Sequence, residues 1–385
     1  MDVFIPSPEV EMAGNSNLKL NELNERQYEA VTAPPQNMLV LAGAGSGKTK
    51  VLISRIGYLI QAHQVSPFSI MAVTFTNKAA AEMRHRLESL LGQGAVGSRY
   101  GSNGMWIGTF HGLAHRFLRT HYREAKLPES FQVLDSDDQH RLIRRVMKSL
   151  NLDEKRYPPK QVMWYINGKK DEGLRPKHID TFDPTEQVML QVYNTYQEAC
   201  DRAGLVDFAE ILLRSHEVLS THSDILLHYR KRFRHILVDE FQDTNSIQYA
   251  WIRLISGANP GAIGEDIPPS HVMIVGDDDQ SIYGWRGARV ENIHNFQRDF
   301  ESVEIIRLEQ NYRSTANILK AANAVIANNS DRLGKDLWTE GKEGDPIALY
   351  SSFNELDEAK FVVGNIKKWQ EDGGALSETA ILYRN

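Results

Sequence analysis

Short apolar runs alternate with longer stretches of helical periodicity between residues 20 and about 110. The apolar runs are residues 39–41, 70–75 and 105–109. Strands that alternate with helices are typical of βαβ units, whose strands lie parallel in one sheet. The pattern therefore predicts an α/β fold with a parallel sheet at its centre.

The pattern becomes helical from about residue 112 to 233, and strand-like runs then return at residues 236–239, 272–276 and 304–308. Because strands of the same kind lie on both sides of the helical block, we predict that the block is inserted into one α/β domain. Residues 256–270 are rich in Gly and Pro, which indicates a surface loop.

Composition limits the class of protein. The chain has 385 residues and is 41% hydrophobic, enough for two or three cores. Cys200 is the only cysteine, which excludes an intramolecular disulfide and a zinc-finger ligand set and is typical of a reducing compartment. Residues 1–20 are polar and lack a secretory signal, and no apolar run approaches the ~20 residues of a membrane span. We therefore expect a cytoplasmic protein without a membrane segment.

The net charge of -6 argues against a uniformly basic nucleic-acid binder, but the sign reverses locally. Residues 113–172 contain 13 Lys and Arg against 9 Asp and Glu. Two basic clusters occur, one on a helix face and one ahead of a strand: Arg116, Arg119 and Arg123, and Arg230, Lys231, Arg232 and Arg234. They favour a phosphate-backbone partner, with a solvated surface as the alternative.

A cradle for nucleotide phosphates is predicted directly after the first apolar run. Its residues are Ala42, Gly43, Ala44, Gly45, Ser46, Gly47, Lys48 and Thr49. Small residues let backbone N–H groups point at phosphate oxygens, and the start of a helix adds its positive dipole end. Lys48 would reach the β- and γ-phosphates, Thr49 would bind Mg²⁺, and residues 51–60 would form the helix. A tight turn without a ligand is the alternative.

Two acids, Asp239 and Glu240, follow the apolar run at residues 236–238. A buried parallel strand that ends there places both carboxylates at the edge of the sheet where α/β proteins bind ligands. Asp239 is predicted to hold Mg²⁺, and Glu240 to orient and deprotonate the attacking water. Two successive acids favour hydrolysis over transfer to a substrate hydroxyl, and a strand end that only faces solvent is the alternative.

A third motif follows the strand predicted at residues 272–276. It contains Gln280, whose amide can contact a γ-phosphate or its water. Tyr283, Trp285 and Arg286 come next and can stack on bases. Nucleotide sensing and base stacking would therefore share one loop.

These three motifs resemble those of superfamily 1 DNA helicases of the UvrD/Rep/PcrA type, and the resemblance extends over residues 20–385. It implies an enzyme that uses ATP and Mg²⁺ to translocate 3′ to 5′ on single-stranded DNA and to unwind duplex DNA in repair and replication. It also implies binding to junctions of single- and double-stranded DNA, repair or replication proteins of unknown identity as partners, a monomer or weak dimer, and a bacterial-type cytoplasmic location on the nucleoid.

The resemblance assigns the adenine side of the nucleotide site. Gln27 would read the adenine edge, since its amide can both donate and accept. Tyr312 would stack on the adenine, and Arg313 would approach the γ-phosphate as an arginine finger. Lys50 stands where some relatives have an Arg that packs on the adenine, so planar stacking would be weaker here.

The resemblance also implies contacts with single-stranded DNA, at Phe75, Asn77, Thr109, His111, Tyr283 and Trp285. For Phe75 and Phe110, an ordinary place in the core is a strong alternative. Asp207 and Phe208 belong to a further family motif, without an assigned chemistry.

By this resemblance the fold is a RecA-like P-loop NTPase domain with a parallel sheet, a helical inserted subdomain and the start of a second RecA-like domain. The expected divisions are residues 1–19 as a flexible extension, 20–110 and 234–308 as domain 1A, 111–233 as insertion 1B, and 309–385 as a truncated domain 2A. An apolar strand is expected at residues 380–383, inside domain 2A. Two alternatives stay open: an ATP- and DNA-binding module with little turnover, and the front end of a RecB/AddA-type helicase-nuclease. A small-molecule kinase is disfavoured by the loop that follows residue 276.

Overall fold

The computed structural model of the chain describes residues 18–97, 104–258, 267–330 and 332–383. Residues 1–17 of the expected flexible extension lie outside this described part, as do residues 259–266 of the predicted surface loop. Leu18 is 7% exposed and lies beside Gly57.

A six-stranded parallel sheet, in the order β3-β2-β6-β7-β1-β8, forms the centre of the fold, and a separate two-stranded sheet pairs β4 with β5. The strands are β1 (Met38–Ala42), β2 (Ile70–Thr74), β3 (Trp106–Thr109), β4 (Gln132–Val133), β5 (Leu205–Val206), β6 (His235–Val238), β7 (His271–Gly276) and β8 (Glu304–Leu308). Each of the six runs predicted as a strand agrees with the structure to within one residue at each end.

Both faces of the sheet are covered, as β1 shows. Its residues alternate between two cores: Leu39 and Leu41 pack on one face, and Met38, Val40 and Ala42 pack on the other. All five are at most 1% exposed. Parallel strands buried on both faces are typical of α/β proteins, and the predicted fold class is confirmed.

Fourteen α-helices accompany the strands in the described residues. They are α1 (Glu25–Thr32), α2 (Lys48–Gln61), α3 (Asn77–Leu91), α4 (Gln93–Val96), α5 (Phe110–Thr120), α6 (Ser136–Ser149), α7 (Pro159–Asp171), α8 (Pro184–Ala203), α9 (Phe208–Thr221), α10 (Ser223–Arg232), α11 (Ser246–Ser256), α12 (Glu291–Asp299), α13 (Ala316–Ile326) and α14 (Glu355–Glu371). Helix α2 begins three residues before the predicted start, because Gly47 adopts a left-handed conformation and serves as its N-cap.

Helices α5 to α10 stand between β3 and β6 in the chain, as the helical pattern predicted. Helix α5 buries Phe110, Leu113 and Phe117 at helical spacing in the core beneath the sheet. Helices α6 to α8 form a core of their own around Ile143, Ile166 and other apolar residues. The periodicity did not predict the short parallel pair β4–β5. This pair joins the chain just before α6 to the chain just after α8.

A buried ionic cluster joins α7 to α9. Lys170 Nζ lies 2.7 Å from Asp207 Oδ2 and 2.9 Å from Glu210 Oε2, and these three side chains are at most 1% exposed. Arg175 and Arg214 add hydrogen bonds to Glu210. Burial by itself would lower the pKa of Lys170, but the charges of Asp207 and Glu210 raise it above its usual value. The cluster therefore stays ionised and holds the two helices together.

The last part of the chain differs from the expectation. No strand is present between residues 309 and 383 in the described residues, so the strand predicted at residues 380–383 is wrong. Leu382 is 93% exposed there. A strand needs a neighbour to satisfy its backbone N–H and C=O groups, and no described strand pairs with this segment.

Within the described residues, none of the helices is both long enough and apolar enough to span a membrane.

Replacing Lys170 with Met should lower the free energy of unfolding by about 3–5 kcal/mol, because two buried carboxylates lose their ammonium partner. Urea unfolding followed by tryptophan fluorescence measures this change. Lys160→Met, at an exposed position of the same helix, is the matched control and should change the free energy by less than about 0.5 kcal/mol. Equal effects of the two substitutions would show that the cluster does not stabilise the insertion.

Candidate functional site

The turn between β1 and α2 has the backbone of a phosphate cradle. Gly45 and Gly47 have φ angles of +72° and +87°, which a residue with a Cβ rarely adopts. A Cβ on Gly45 would also lie 2.7 Å from Asn311 Nδ2, so glycine is required for the close packing. The first turn of α2 follows at Lys48, and its free N–H groups and dipole suit an anion.

The two predicted acids lie at the carboxyl end of β6, opposite this turn. Asp239 is 6% exposed, and Glu240 has a φ of +50°, an uncommon conformation for a residue with a side chain. Lys48 Nζ donates a 2.9 Å hydrogen bond to Glu240 Oε2. The structure therefore joins two sequence motifs 192 residues apart in a single ion pair.

Burial and the neighbouring charge of Glu240 raise the pKa of Asp239 to about 6. The same two causes raise the pKa of Asp243 to about 6, and its Oδ1 atom is buried with no hydrogen-bond partner in the part of the chain that the structure describes. Thr49 lies at the start of α2, next to Lys48. Carboxylate and hydroxyl oxygens are the ligands that a hard divalent cation prefers. The positive charge of such a cation would stabilise the ionised form of the two buried carboxyl groups.

Gln242, to which the sequence pattern assigns no role, connects the acids to the loop after β7. Its Nε2 atom donates a 2.8 Å hydrogen bond to Glu240 Oε2, and its Oε1 atom accepts a 3.0 Å bond from the backbone N–H of Asp277. Gln280 donates its side-chain amide to Asp277 Oδ2. The only sequence signal for Gln242 was its place two residues after Glu240.

Gln27 lies against the cradle, and both polar atoms of its side-chain amide make hydrogen bonds within the protein. Its Nε2 atom donates a 2.8 Å hydrogen bond to the backbone O of Ser46, and its Oε1 atom accepts from the backbone N–H of Asn24 at 3.2 Å. The side chain is 2% exposed. Contact with an adenine would therefore require one of these bonds to be exchanged. Lys50 donates to the backbone O of Glu22 at 2.7 Å.

Residues 311–313 dock directly on the cradle. The backbone N–H of Tyr312 donates a 2.9 Å hydrogen bond to the backbone O of Gly45, and Asn311 Nδ2 donates to the backbone O of Ala44. Tyr312 OH accepts from Asn24 Nδ2 at 2.7 Å, and the ring is 57% exposed. Arg313 is exposed, and its Cβ lies beside Gly45. Tyr312 and Arg313 therefore stand at the same turn as Lys48.

Three aromatic rings form a row between the loops after β2 and β7. Phe75 stacks on Tyr283 with ring centroids 5.3 Å apart, and Tyr283 lies 6.4 Å from Trp285. Trp285 is 75% exposed, with the Arg286 guanidinium 4.5 Å from its ring centroid. Phe110, by contrast, is 3% exposed and belongs to the core. The row places one exposed and two half-buried rings beside a cation at the carboxyl edge of the sheet.

The remaining predicted DNA contacts lie at helix starts along the same edge. Thr109 Oγ1 accepts the backbone N–H of Gly112 as the N-cap of α5, and Asn77 is an exposed first residue of α3. His111 packs edge-on against Phe208 at 5.9 Å, and burial lowers its pKa to about 4. Phe208 is 56% exposed, and its position beside His111 was not foreseen.

The two basic clusters make many internal contacts. Arg119 donates to the backbone O atoms of Glu129 and Phe131, and Arg116 lies over the Trp106 ring. Arg232 stacks on the Phe68 ring at 3.7 Å. Contacts of this kind orient the arginines within the fold.

The unusual pKa of Asp239 makes a prediction about stability. Because the pKa in the folded chain exceeds the usual value of 3.8, the Asp239 charge destabilises the folded state fully above pH 6 and hardly below pH 4. Without nucleotide, Asp239→Asn should raise the free energy of unfolding by roughly 1–3 kcal/mol at pH 8, and by roughly half as much at pH 5.

Urea unfolding of the variant and of the unaltered chain at the two pH values measures this difference. Asp345→Asn, at an exposed position, is the control and should give the same small change at both. A gain from Asp239→Asn that is equal at pH 5 and pH 8 would contradict the raised pKa.

Comparison with known proteins agrees with this geometry. Residues 23–301 match the UvrD/REP helicase N-terminal domain, and residues 306–385 match the UvrD-like helicase C-terminal domain. The chain is 63% identical over 367 residues to DNA helicase II of Escherichia coli (strain K12), which covers 95% of this chain and 49% of that relative. It is 40% identical over 367 residues to the ATP-dependent DNA helicase PcrA of Leuconostoc citreum, covering 94% of this chain and 47% of the relative.

A probable DNA helicase II homolog of Rickettsia felis is 41% identical over 371 residues, which cover 95% of this chain and 54% of that protein. The chain thus spans about half the length of the curated relatives it matches. The two matches agree with the predicted α/β fold and meet between residues 301 and 306. On these matches and on the motifs that the fold brings together, the chain belongs to the UvrD/REP helicase family.

Proposed function

We propose that this chain carries the ATP site and part of the DNA track of an ATP-dependent DNA helicase that translocates 3′ to 5′ in repair and replication. The observation that carries the proposal is the convergence of Lys48, Asp239 and Glu240 at one edge of the sheet, with Tyr312 and Arg313 docked on the same turn. Relatives named as DNA helicases support it.

The family resemblance and the positions of the residues together assign the roles in this proposal. The cradle, residues 42–49, binds the phosphates of ATP, and Lys48 leaves Glu240 to contact the β- and γ-phosphates. The freed Glu240 carboxylate then orients the attacking water and accepts its proton. Gln280 contacts the γ-phosphate or this water through the amide that now bonds Asp277.

Thr49 and Asp239 would hold Mg²⁺, which supplies a positive charge that offsets the charge developing on the phosphate oxygens. Gln27, Lys50 and Tyr312 would contact the adenine side of the nucleotide. Arg313 would act as the arginine finger, because it is exposed beside the cradle and can reach a γ-phosphate once the cleft is closed.

The row of Phe75, Tyr283 and Trp285 would stack on successive bases of single-stranded DNA, with Asn77, Thr109 and His111 along the backbone. Opening and closing of the cleft around ATP would then move the strand along this row. The loop after β7 carries Gln280 together with the rings of Tyr283 and Trp285, so it would transmit the state of the nucleotide to the DNA.

The division into domain 1A, insertion 1B and domain 2A is part of this proposal. It is supported by the insertion of α5 to α10 between β3 and β6 and by the separate match of residues 306–385. The protein partners, the preference for junctions, the monomeric or weakly dimeric state and the cytoplasmic location stay predictions.

A second candidate is a module that binds ATP and DNA with little turnover. Exposed apolar side chains between residues 345 and 383 favour it: Leu349 and Phe353 are 98% and 97% exposed, whereas a tightly packed catalytic domain buries such side chains.

Steady-state ATP hydrolysis by this 385-residue chain tests the proposal. Single-stranded DNA should stimulate hydrolysis, and Glu240→Gln should lower the stimulated rate by roughly 10²- to 10⁴-fold while nucleotide binding is kept. Lys48→Ala should abolish nucleotide binding itself. Binding of both ligands without stimulated hydrolysis would favour the second candidate, and failure to bind nucleotide would overturn the proposal.

The aromatic row predicts a measurable DNA contact. Trp285→Ala should weaken binding of a ten-nucleotide oligothymidine by about 5- to 150-fold, since one stacked base contributes about 1–3 kcal/mol. Fluorescence anisotropy gives the dissociation constant. Trp164→Ala removes a similarly exposed ring, 65% against 75%, from α7 and is the matched control. Equal affinities of the two variants would place the DNA elsewhere.

A further inference from the structure

Three consecutive acids in the loop after β7 surround one buried ammonium group. Lys335 Nζ lies 2.7 Å from Asp277 Oδ1, 2.8 Å from Asp278 Oδ1 and 2.8 Å from Asp279 Oδ2. Lys335 is 5% exposed. An ammonium has three N–H donors, and each one here has its own carboxylate. The acidic triplet could by spacing hold a metal ion, but the lysine already occupies its centre.

The residues around Lys335 reinforce the same contact. Arg332 makes two hydrogen bonds to the Asp279 carboxylate, at 3.0 and 2.7 Å, and another to the backbone O of Lys335 at 2.8 Å. The backbone N–H of Leu333 donates to Asp278 Oδ2 at 2.8 Å. Lys335 and Arg332 follow α13, so this cluster joins the segment after α13 to the loop after β7. We call it the Lys335 latch.

A series of hydrogen bonds connects the segment that contains Lys335 to Arg313, the arginine-finger candidate. The backbone N–H of Trp338 donates to the backbone O of Glu309 at 3.1 Å, and that of Asn311 donates to the backbone O of Trp338 at 2.7 Å. Asn311 Oδ1 then accepts the backbone N–H of Arg313 at 2.8 Å. The position of Lys335 is thereby tied to the position of Arg313.

Through Asp277 the latch is also connected to the residues proposed to contact the nucleotide and the DNA. Asp277 bonds Lys335 through Oδ1 and the Gln280 amide through Oδ2. The backbone N–H of Asp277 is held by Gln242, which also bonds Glu240. The ring of Tyr283 follows three residues after Gln280. One loop, fixed by one lysine, therefore carries the nucleotide-sensing and base-stacking groups.

We propose that Lys335 is a positioning residue that couples ATP binding to DNA binding, by holding the loop with Gln280, Tyr283 and Trp285 to the segment that carries Arg313. This inference rests on the proposed function and adds to it a physical link between the two halves of the cleft. The link is a buried salt bridge with a defined geometry, so it transmits a displacement of one segment to the other. Burial by itself would lower the pKa of Lys335, but Asp277 and its neighbours raise it, so the link stays charged.

The test measures a coupling factor, which is the ratio of the dissociation constants for oligothymidine without and with a saturating non-hydrolysable ATP analogue and Mg²⁺. In the unaltered 385-residue chain this factor should differ from 1 by about 5- to 150-fold, the usual range for linked sites. In Lys335→Met it should fall to within about 2-fold of 1, while the dissociation constant of each ligand alone changes by less than about 3-fold. A merely structural lysine would leave the coupling factor intact.

Lys320→Met is the matched control, because Lys320 lies on α13 in an exposed ion pair with Glu343 and should leave the coupling factor unchanged. Arg332→Gln removes the second cation of the latch and should also reduce the factor, which keeps the test valid if Lys335→Met does not fold. Provided that both ligands bind, two results would overturn the inference. One is a coupling factor that is the same in the unaltered chain, in the folded latch variants and in Lys320→Met. The other is a coupling factor of 1 in the unaltered chain. Absence of nucleotide or DNA binding in the unaltered chain would instead overturn the proposed function, and the latch with it.

Discussion

The parallel direction of β1, β6 and β7 is the constraint on which the site depends. Parallel strands of one sheet end at the same edge, so the turns that follow them are brought together although they are far apart in the chain. Three segments lie at this edge: the turn at residues 43–47, the two acids after β6 and the loop after β7. The ion pair between Lys48 and Glu240 is the direct result. Because each of these strands is buried on both faces, their ends cannot shift without disturbing two cores.

Charged groups serve two different purposes in this molecule. In the cluster around Lys170 every charge is paired and buried, which is the arrangement expected of a structural contact. At the sheet edge the carboxyl group of Asp239 is buried beside another acid, and its pKa is raised. A buried acid without enough positive charge nearby destabilises the folded protein, and it suits the binding of a cation. The Lys335 latch lies between these cases, since it is fully paired but connects two segments that both adjoin the nucleotide site.

Most of the fold could be predicted because apolar runs and helical periodicity indicate which residues become buried. These patterns are read from residues that are neighbours in the chain. The six strands followed from this signal alone, as did the interruption of the sheet by helices. The prediction of a strand at residues 380–383 was wrong because an apolar run alone does not make a strand. An apolar run forms a strand only where a neighbouring strand completes its hydrogen bonds, and no described strand pairs with that segment. The short pair β4–β5 was missed because two residues are too few to show a period.

The sequence by itself determined the chemical types present: a glycine-rich turn with Lys48 and Thr49, two acids after a strand, and a loop with Gln280 and three residues able to stack on bases. These signals are local, because each motif is read from neighbouring residues and a family resemblance. Only the tertiary structure decided which groups meet. It placed Gln242 between Glu240 and Asp277, engaged the Gln27 amide with Ser46, and seated Lys335 among three aspartates. Apart from the bond between Gln242 and Glu240, these contacts join residues 19 to 58 positions apart, and their geometry depends on how the cores pack rather than on any local pattern.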